Sequence, residues 1–211
     1  MKFNNFIQEN TDISVEAARQ MIFDDCNPFR QLAGAHNLYR GKKGPLLIKH
    51  GTKDYMIQTI KTIYPRNDRK PTDTPVEYHE LLDDKFESKF GWRARSEGVF
   101  ATSDYGQATA YGHVYLFFPI GSFKFIWSPK IRDLYMEIDE IADDVRSVGE
   151  DEDVIRKAVI IGIDHMAKTY TDSSLKMAVK SGHEIMFKCN SYYLVNEYWI
   201  LNGEKYEKVF G

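Results

Sequence analysis

Cysteine is nearly absent, with only Cys26 and Cys189 in a chain of 211 residues. Two thiols so far apart, with no CxxC pair, offer neither a disulfide framework nor a thiolate zinc site. They point to a reducing compartment and to structural or incidental thiols. Long apolar runs are missing as well. No stretch approaches the roughly 20 apolar residues of a membrane span, and the opening MKFNNFIQENTDISV is too polar for a secretory signal. The expectation is a soluble, cytoplasmic protein that meets no membrane. An excess of one charge is also lacking. The 28 basic and 31 acidic side chains leave a net charge of −3, which argues against a general polyanion binder while allowing local basic patches. GxSxG, P-loop, GxGxxG and HExxH motifs do not occur. The six histidines (His36, His50, His79, His113, His165, His183) show no metal-ligand spacing, so no metal is expected. No internal repeat, low-complexity tract or domain boundary stands out, which leaves residues 1–211 as a single domain.

What is present favours an ordinary core. Hydrophobic residues make up 43% and aromatics 14%, enough to fold without metal or disulfide. Residues 11–25 read as a helix, with Val15, Ala18, Met21 and Ile22 at helical spacing, stopped by CNPF and followed by a loop QLAGAHN. The run GPLLIKHGTKDYMIQTIKTIY begins as strand or irregular structure and is then ambiguous between helix and strand. YPRNDRKPTDTP at 64–75, with three prolines, is a loop. VEYHELLDDKFESKFG carries a helical stripe of Tyr78, Leu81, Leu82, Phe86 and Phe90, read as core packing and stopped by Gly91. SEGVFATSD reads as a short strand, YGQATAYG as about two helical turns, and HVYLFFPI and SFKFIWSP as strands. An acidic, exposed segment follows at 137–153, where charge runs are usually solvated. Next come a buried helix in VIRKAVIIGIDHMAKTY and a short helix in TDSSLKMAVKSG, capped by Thr171 or Asp172 and stopped by Gly182. HEIMFKC and YYLVNEYWI end the chain as strands. The class is α+β.

The chemistry-bearing residues fall in three separated elements: LYRG at 38–41, FATSD at 100–104 and GHEIMF at 182–187. Taken singly, Arg40 reads as a surface arginine, Glu184 as an acid at a strand start, and Thr102-Ser103 as a helix cap. Taken in order, they resemble the Arg/Ser/Glu branch of the ADP-ribosyltransferase superfamily, and in particular its small bacteriophage-encoded members, across about residues 36–195. The resemblance implies two small β-sheets around an NAD cleft with flanking helices, after an N-terminal helical part (1–35) and within a core of 36–200. It also implies NAD as substrate, a macromolecular target that is a host protein rather than nucleic acid, and action in the host cytoplasm.

In that likeness Glu184 is the catalytic acid. A carboxylate beside the ribose stabilises the oxocarbenium-like charge as the nicotinamide bond breaks. Arg40 matches phosphate geometry through its guanidinium fork, Gly41 lets backbone approach the ligand, and Thr102 and Ser103 reach the ribose. Tyr105, Tyr111 and Phe123 are stacking candidates for the nicotinamide ring. Arg66, Arg69 and Lys70 of the 64–75 loop read either as a solvated mixed-charge segment or as a grip on the cofactor phosphates or an acidic target, with Arg69 taken as cofactor-binding. Two positions depart from the family pattern. Ala101 stands where a hydroxyl is usual, and Gly182 stands where arginine-modifying members carry Glu or Gln, so arginine is not the expected acceptor. The reading of a different class is a non-catalytic transferase fold that serves as a binding or virion protein.

Overall fold

The computed structural model describes residues 13–34, 36–50, 54–57, 60–66, 68–71 and 74–196. The start of the first expected helix, at 11–12, and the end of the last expected strand, at 197–200, lie outside the described residues. Helix α1 (Val15–Asp25) begins where the Ser14 hydroxyl accepts from the Ala17 N–H at 3.2 Å, satisfying one donor that the helix start leaves unpaired. CNPF does not end the helical region, as expected from the proline. The chain bends at Cys26 and resumes as α2 (Asn27–Ala33), with Pro28 in its first turn, where no amide donor is needed. The expected QLAGAHN loop is therefore helical up to Ala33.

Nine strands among the described residues follow from several kinds of sequence. The LYRG piece gives β1 (Tyr39–Lys42), and the ambiguous run at 44–64 gives, among its described residues, β2 (Leu47–His50), β3 (Asp54–Ile57) and β4 (Ile60–Ile63). The aromatic and β-branched runs give β5 (Val99–Ala101), β6 (His113–Pro119) and β7 (Phe123–Trp127), and the C-terminal pair gives β8 (Ile185–Cys189) and β9 (Tyr192–Asn196). They form one sheet in the order β1-β6-β9-β4, a second in the order β5-β8-β7, and a β2-β3 hairpin, every pair antiparallel. Six further helices among the described residues belong to the α+β architecture: α3 (Val76–Phe90), α4 (Ala94–Glu97), α5 (Tyr105–Thr109), α6 (Leu134–Ser147), α7 (Glu152–Thr169) and α8 (Leu175–Ser181). The acidic 137–153 segment is largely α6, which keeps Leu134 and Ile138 buried. Helix α8 starts after Ser174 rather than at Thr171 or Asp172, because Thr171 is held extended by its backbone pairing with Trp127. Among the described residues, no helix is long and apolar enough to cross a membrane.

The second sheet separates two cores. Ile185 and Phe187 pack into one core with Ile22, Phe29, Leu116 and Phe117. Met186, one residue out of phase, packs into the other with Leu82, Phe86, Trp92, Leu134 and Val159. This two-residue alternation is what a strand imposes, and both faces of β8 are apolar because both are covered. Each fully buried Leu or Phe contributes about 2 kcal/mol. Among the described residues a single backbone pair links the two sheets: Tyr39 N–H donates to Thr102 O at 2.7 Å and Thr102 N–H to Tyr39 O at 3.0 Å. The end of β1 is thereby fixed against the end of β5.

Candidate active site

His79 on α3, Arg95 on α4, Thr74 just before α3 and two strand ends line a cavity of about 120 Å³. Arg40 and Gly41 enter it from β1, Ala101 and Thr102 from β5, Tyr111 from the turn after α5, Arg69 from the 64–71 segment, and Glu184 from the residue before β8. Arg40 and Glu184, remote in sequence, thus line one cavity. The Tyr39–Thr102 pairing accounts for the position of Arg40, whose Nη1 donates to Phe100 O at 2.7 Å.

Glu184 is held by its backbone, its N–H donating to Arg132 O at 2.8 Å. The carboxyl head is buried, and its Oε1 has no hydrogen-bond partner. Burial pushes its pKa up to about 7, against the pull of Arg95 and Arg69 and with some help from the nearby Asp133. His183 turns elsewhere, its Nδ1 lying 2.8 Å from Ser128 O. Gly182, at φ 77°, stops α8 just ahead of Glu184, a conformation that favours glycine. Its carbonyl accepts from Thr102 Oγ1 at 2.8 Å, and Thr102 Oγ1 accepts in turn from the Asp104 N–H at 3.0 Å. Thr102 therefore ties β5 to the turn that presents Glu184.

Gly41 lies under α5. A Cβ at this position would meet Ala108 O at 2.2 Å and Tyr111 Cβ at 2.6 Å, so the missing side chain makes room for the protein's own helix. Tyr111 OH donates to Asp133 Oδ2 at 3.1 Å, and burial raises its pKa. Arg69 is exposed as a residue, while its guanidinium lies 4.1 Å from the centre of the Phe100 ring. Burial there and the cations of Arg40 and Arg95 bring its pKa down to about 10. Its loop neighbours differ: Arg66 pairs with Asp68 at 3.1 Å in full exposure, and Lys70 is exposed.

Three expected residues do not line the cavity. Ser103 Oγ donates to Val179 O on α8, and the residue faces a shallow depression beside His36, Asn37 and Lys180. The ring of Tyr105 is about half exposed and stands edge-on to Tyr39 at 5.4 Å. Phe123 packs against Phe29 and Phe187 at 6.0 and 5.8 Å. Strand alternation puts it on the same face of the sheet as Phe125 and Phe187, where it packs, partly buried, against the first core.

The cavity also draws on residues that the sequence reading passed over, chiefly Thr74, His79, Arg95, Phe100, Gln107 and Tyr135. A signal for one of them was available. On α3, His79, Leu82, Asp83 and Phe86 share one buried face, so two ionisable side chains sit at apolar positions of the helix repeat. Among the described residues, five buried side-chain nitrogen or oxygen atoms lack a partner. Four of them (His79 Nδ1, Arg95 Nε, Gln107 Oε1 and Glu184 Oε1) belong to residues lining this cavity. Each such atom costs about 1–3 kcal/mol, so the cavity is set up for a polar ligand with both donors and acceptors. Among the described residues, no group of three or more His, Cys, Asp or Glu side chains is arranged to hold a metal ion. No family model, curated protein or solved structure matches the chain.

Proposed function

We propose that this chain is a mono-ADP-ribosyltransferase. It cleaves the nicotinamide–ribose bond of NAD and transfers ADP-ribose to a macromolecular acceptor, with hydrolysis as the background reaction. The observation that carries the reading is the buried, unpartnered Oε1 of Glu184 in the same cavity as Arg40, because these two positions carry the family likeness and their chemistry is complementary. In the reaction the C1′–N bond breaks and its electron pair leaves with nicotinamide, which becomes neutral. C1′ takes on the positive charge, and an acceptor oxygen, nitrogen or sulfur then bonds to C1′ and releases a proton. An ionised Glu184 in a water-poor site stabilises the positive charge at C1′. Its pKa of about 7 leaves a substantial ionised fraction near neutrality, and the pyridinium of bound NAD favours ionisation further.

Arg40 and Arg69 bring guanidinium charge to the dinucleotide phosphates, and Thr102 orients the turn that carries Glu184. Tyr111 is the stacking candidate that lies at the cavity wall. Ser103, Tyr105 and Phe123 receive no part in binding. Gly182 offers no side chain to guide an arginine acceptor, so the target residue is of another kind, on a host protein if the chain is phage-encoded.

The test is nicotinamide release and transfer of labelled ADP-ribose to a lysate by purified protein. Wild type releases nicotinamide, and Glu184→Gln loses kcat by about 100-fold or more while NAD still binds. Equal activity of Glu184→Gln and wild type would sink the reading.

A further inference from the structure

The side of the cavity formed by α3 and α4 has an excess of positive charge. Asp83, fully buried, is committed to the backbone: its Oδ1 accepts from the N–H groups of Arg95 at 2.7 Å and Ser96 at 3.3 Å. Its Oδ2 accepts from Ser96 Oγ at 2.5 Å. With the hydroxyl hydrogen of Ser96 directed at Asp83, the oxygen presents its lone pairs to His79 Nε2, 3.0 Å away. Nε2 therefore carries the proton of neutral His79, and Nδ1 is the bare nitrogen. That nitrogen is buried and has no partner, on a side chain only 5% exposed that lines the cavity.

Arg95 is 8% exposed and also lines the cavity. Its Nη2 donates to Thr74 Oγ1 at 3.1 Å, its Nε donates to nothing, and among the described residues no carboxylate forms a salt bridge with it or with Arg69. The Arg69 backbone N–H is anchored on Ser96 O at 3.1 Å, and both guanidinium groups lie over the Phe100 ring, at 4.1 and 5.2 Å. Two buried or stacked cations beside an unpartnered imidazole nitrogen form a poor arrangement by themselves and a good one around an anion with several oxygens.

We propose that Arg95, Arg69 and His79 form an oxyanion subsite that takes a phosphate group of the ligand, His79 contributing through Nδ1. The subsite goes beyond the transferase reading, since it holds whichever bond of the ligand is broken. Burial lowers the pKa of His79, and the cations of Arg95, Arg69 and Arg93 lower it further against the opposing carboxylate of Asp83. An anion beside Nδ1 reverses the sign of that field, so His79 takes up a proton as the anion binds. Binding then strengthens as pH falls.

The experiment is isothermal calorimetry with inorganic pyrophosphate on the full chain, followed by sulfate, whose charge stays constant, from about pH 8 down to about pH 5.5. Wild type binds pyrophosphate, and Arg95→Gln and Arg69→Gln each bind it at least about tenfold more weakly. Sulfate affinity rises toward low pH in wild type and rises less steeply in His79→Gln, where the protonation of Glu184 in the same cavity is the remaining contribution; equal slopes in the two proteins overturn the part given to His79. Arg69 is exposed as a residue, so its variant keeps the test open if Arg95→Gln fails to fold. Absence of pyrophosphate binding by wild type, or wild-type affinity in the folded arginine variants, overturns the subsite. Failure of the subsite removes the part given to Arg69 and leaves the Glu184 test of nicotinamide release standing, and failure of nicotinamide release leaves the subsite standing.

Discussion

Tyr39 and Thr102 exchange both of their backbone hydrogen bonds, at 2.7 and 3.0 Å, and form the one backbone pair between the four-stranded and three-stranded sheets among the described strands. The side chain of Thr102 extends that join to Gly182 and hence to the turn that carries Glu184. Much of the behaviour of the site follows from this junction.

Thr102→Val keeps the side-chain shape and removes the hydroxyl, leaving Gly182 O and Asp104 N–H without their partner. The expected loss of stability is about 1–3 kcal/mol, read by urea denaturation. Nicotinamide release falls with it, while Thr102→Ser restores both.

Glu184 gives a pH signature with a definite sign. Its native pKa of about 7 exceeds the ordinary 4.5, so between those values the folded state holds a proton that the unfolded state has released. Stability contributed by the protonated form is present below about 4.5 and is lost as pH rises through 7. Glu184→Gln removes that loss, and its melting temperature should exceed that of wild type above pH 7 and converge with it in acid. The gap corresponds to on the order of 2–3 kcal/mol. A difference that does not change with pH would show that the carboxyl is not desolvated.

The same group sets a pH profile. Under the proposed chemistry kcat/KM for NAD rises with pH through about 7 as Glu184 ionises in the free protein. An activity that increases toward acid would assign the opposite protonation state.

Gly41→Ala places a Cβ 2.2 Å from the carbonyl of Ala108, a backbone atom that no rotamer change can move. Helix α5 must shift, taking Gln107 and Tyr111 with it, at about 1–3 kcal/mol. The measured outcome is a lower melting temperature together with a raised KM for NAD.

Asp83→Ala strands the N–H groups of Arg95 and Ser96 in the core and should cost about 3 kcal/mol or more. Asp84→Ala, next along the chain and exposed, should cost well under 1 kcal/mol. Equal effects in urea denaturation would contradict the placement of Asp83.

Local pattern carried most of the element structure. Aromatic and β-branched runs marked β6 and β7, and helical spacing with a terminal glycine marked α3. Pro28 misled because a first helical turn tolerates proline, and 44–64 stayed open because short apolar runs satisfy both periods. Arg40 and Glu184 were legible as chemistry-bearing residues flanking strand signals. His79 and Arg95 were not, because a buried polar residue in a helix looks like any other polar residue until the element packed over it is known.

The sequence by itself determined the α+β class, the sites of most turns, and the three short elements around Arg40, Thr102 and Glu184, since each is a property of neighbouring residues. The tertiary structure alone decided that Arg40 and Glu184 face one cavity while Phe123 packs against the core and Ser103 is directed at α8. It also decided that His79 and Arg95 join them at the wall. These are relations between strand faces and helix faces remote in the chain, set by how two sheets meet at Tyr39 and Thr102 and by which side of β8 each core covers.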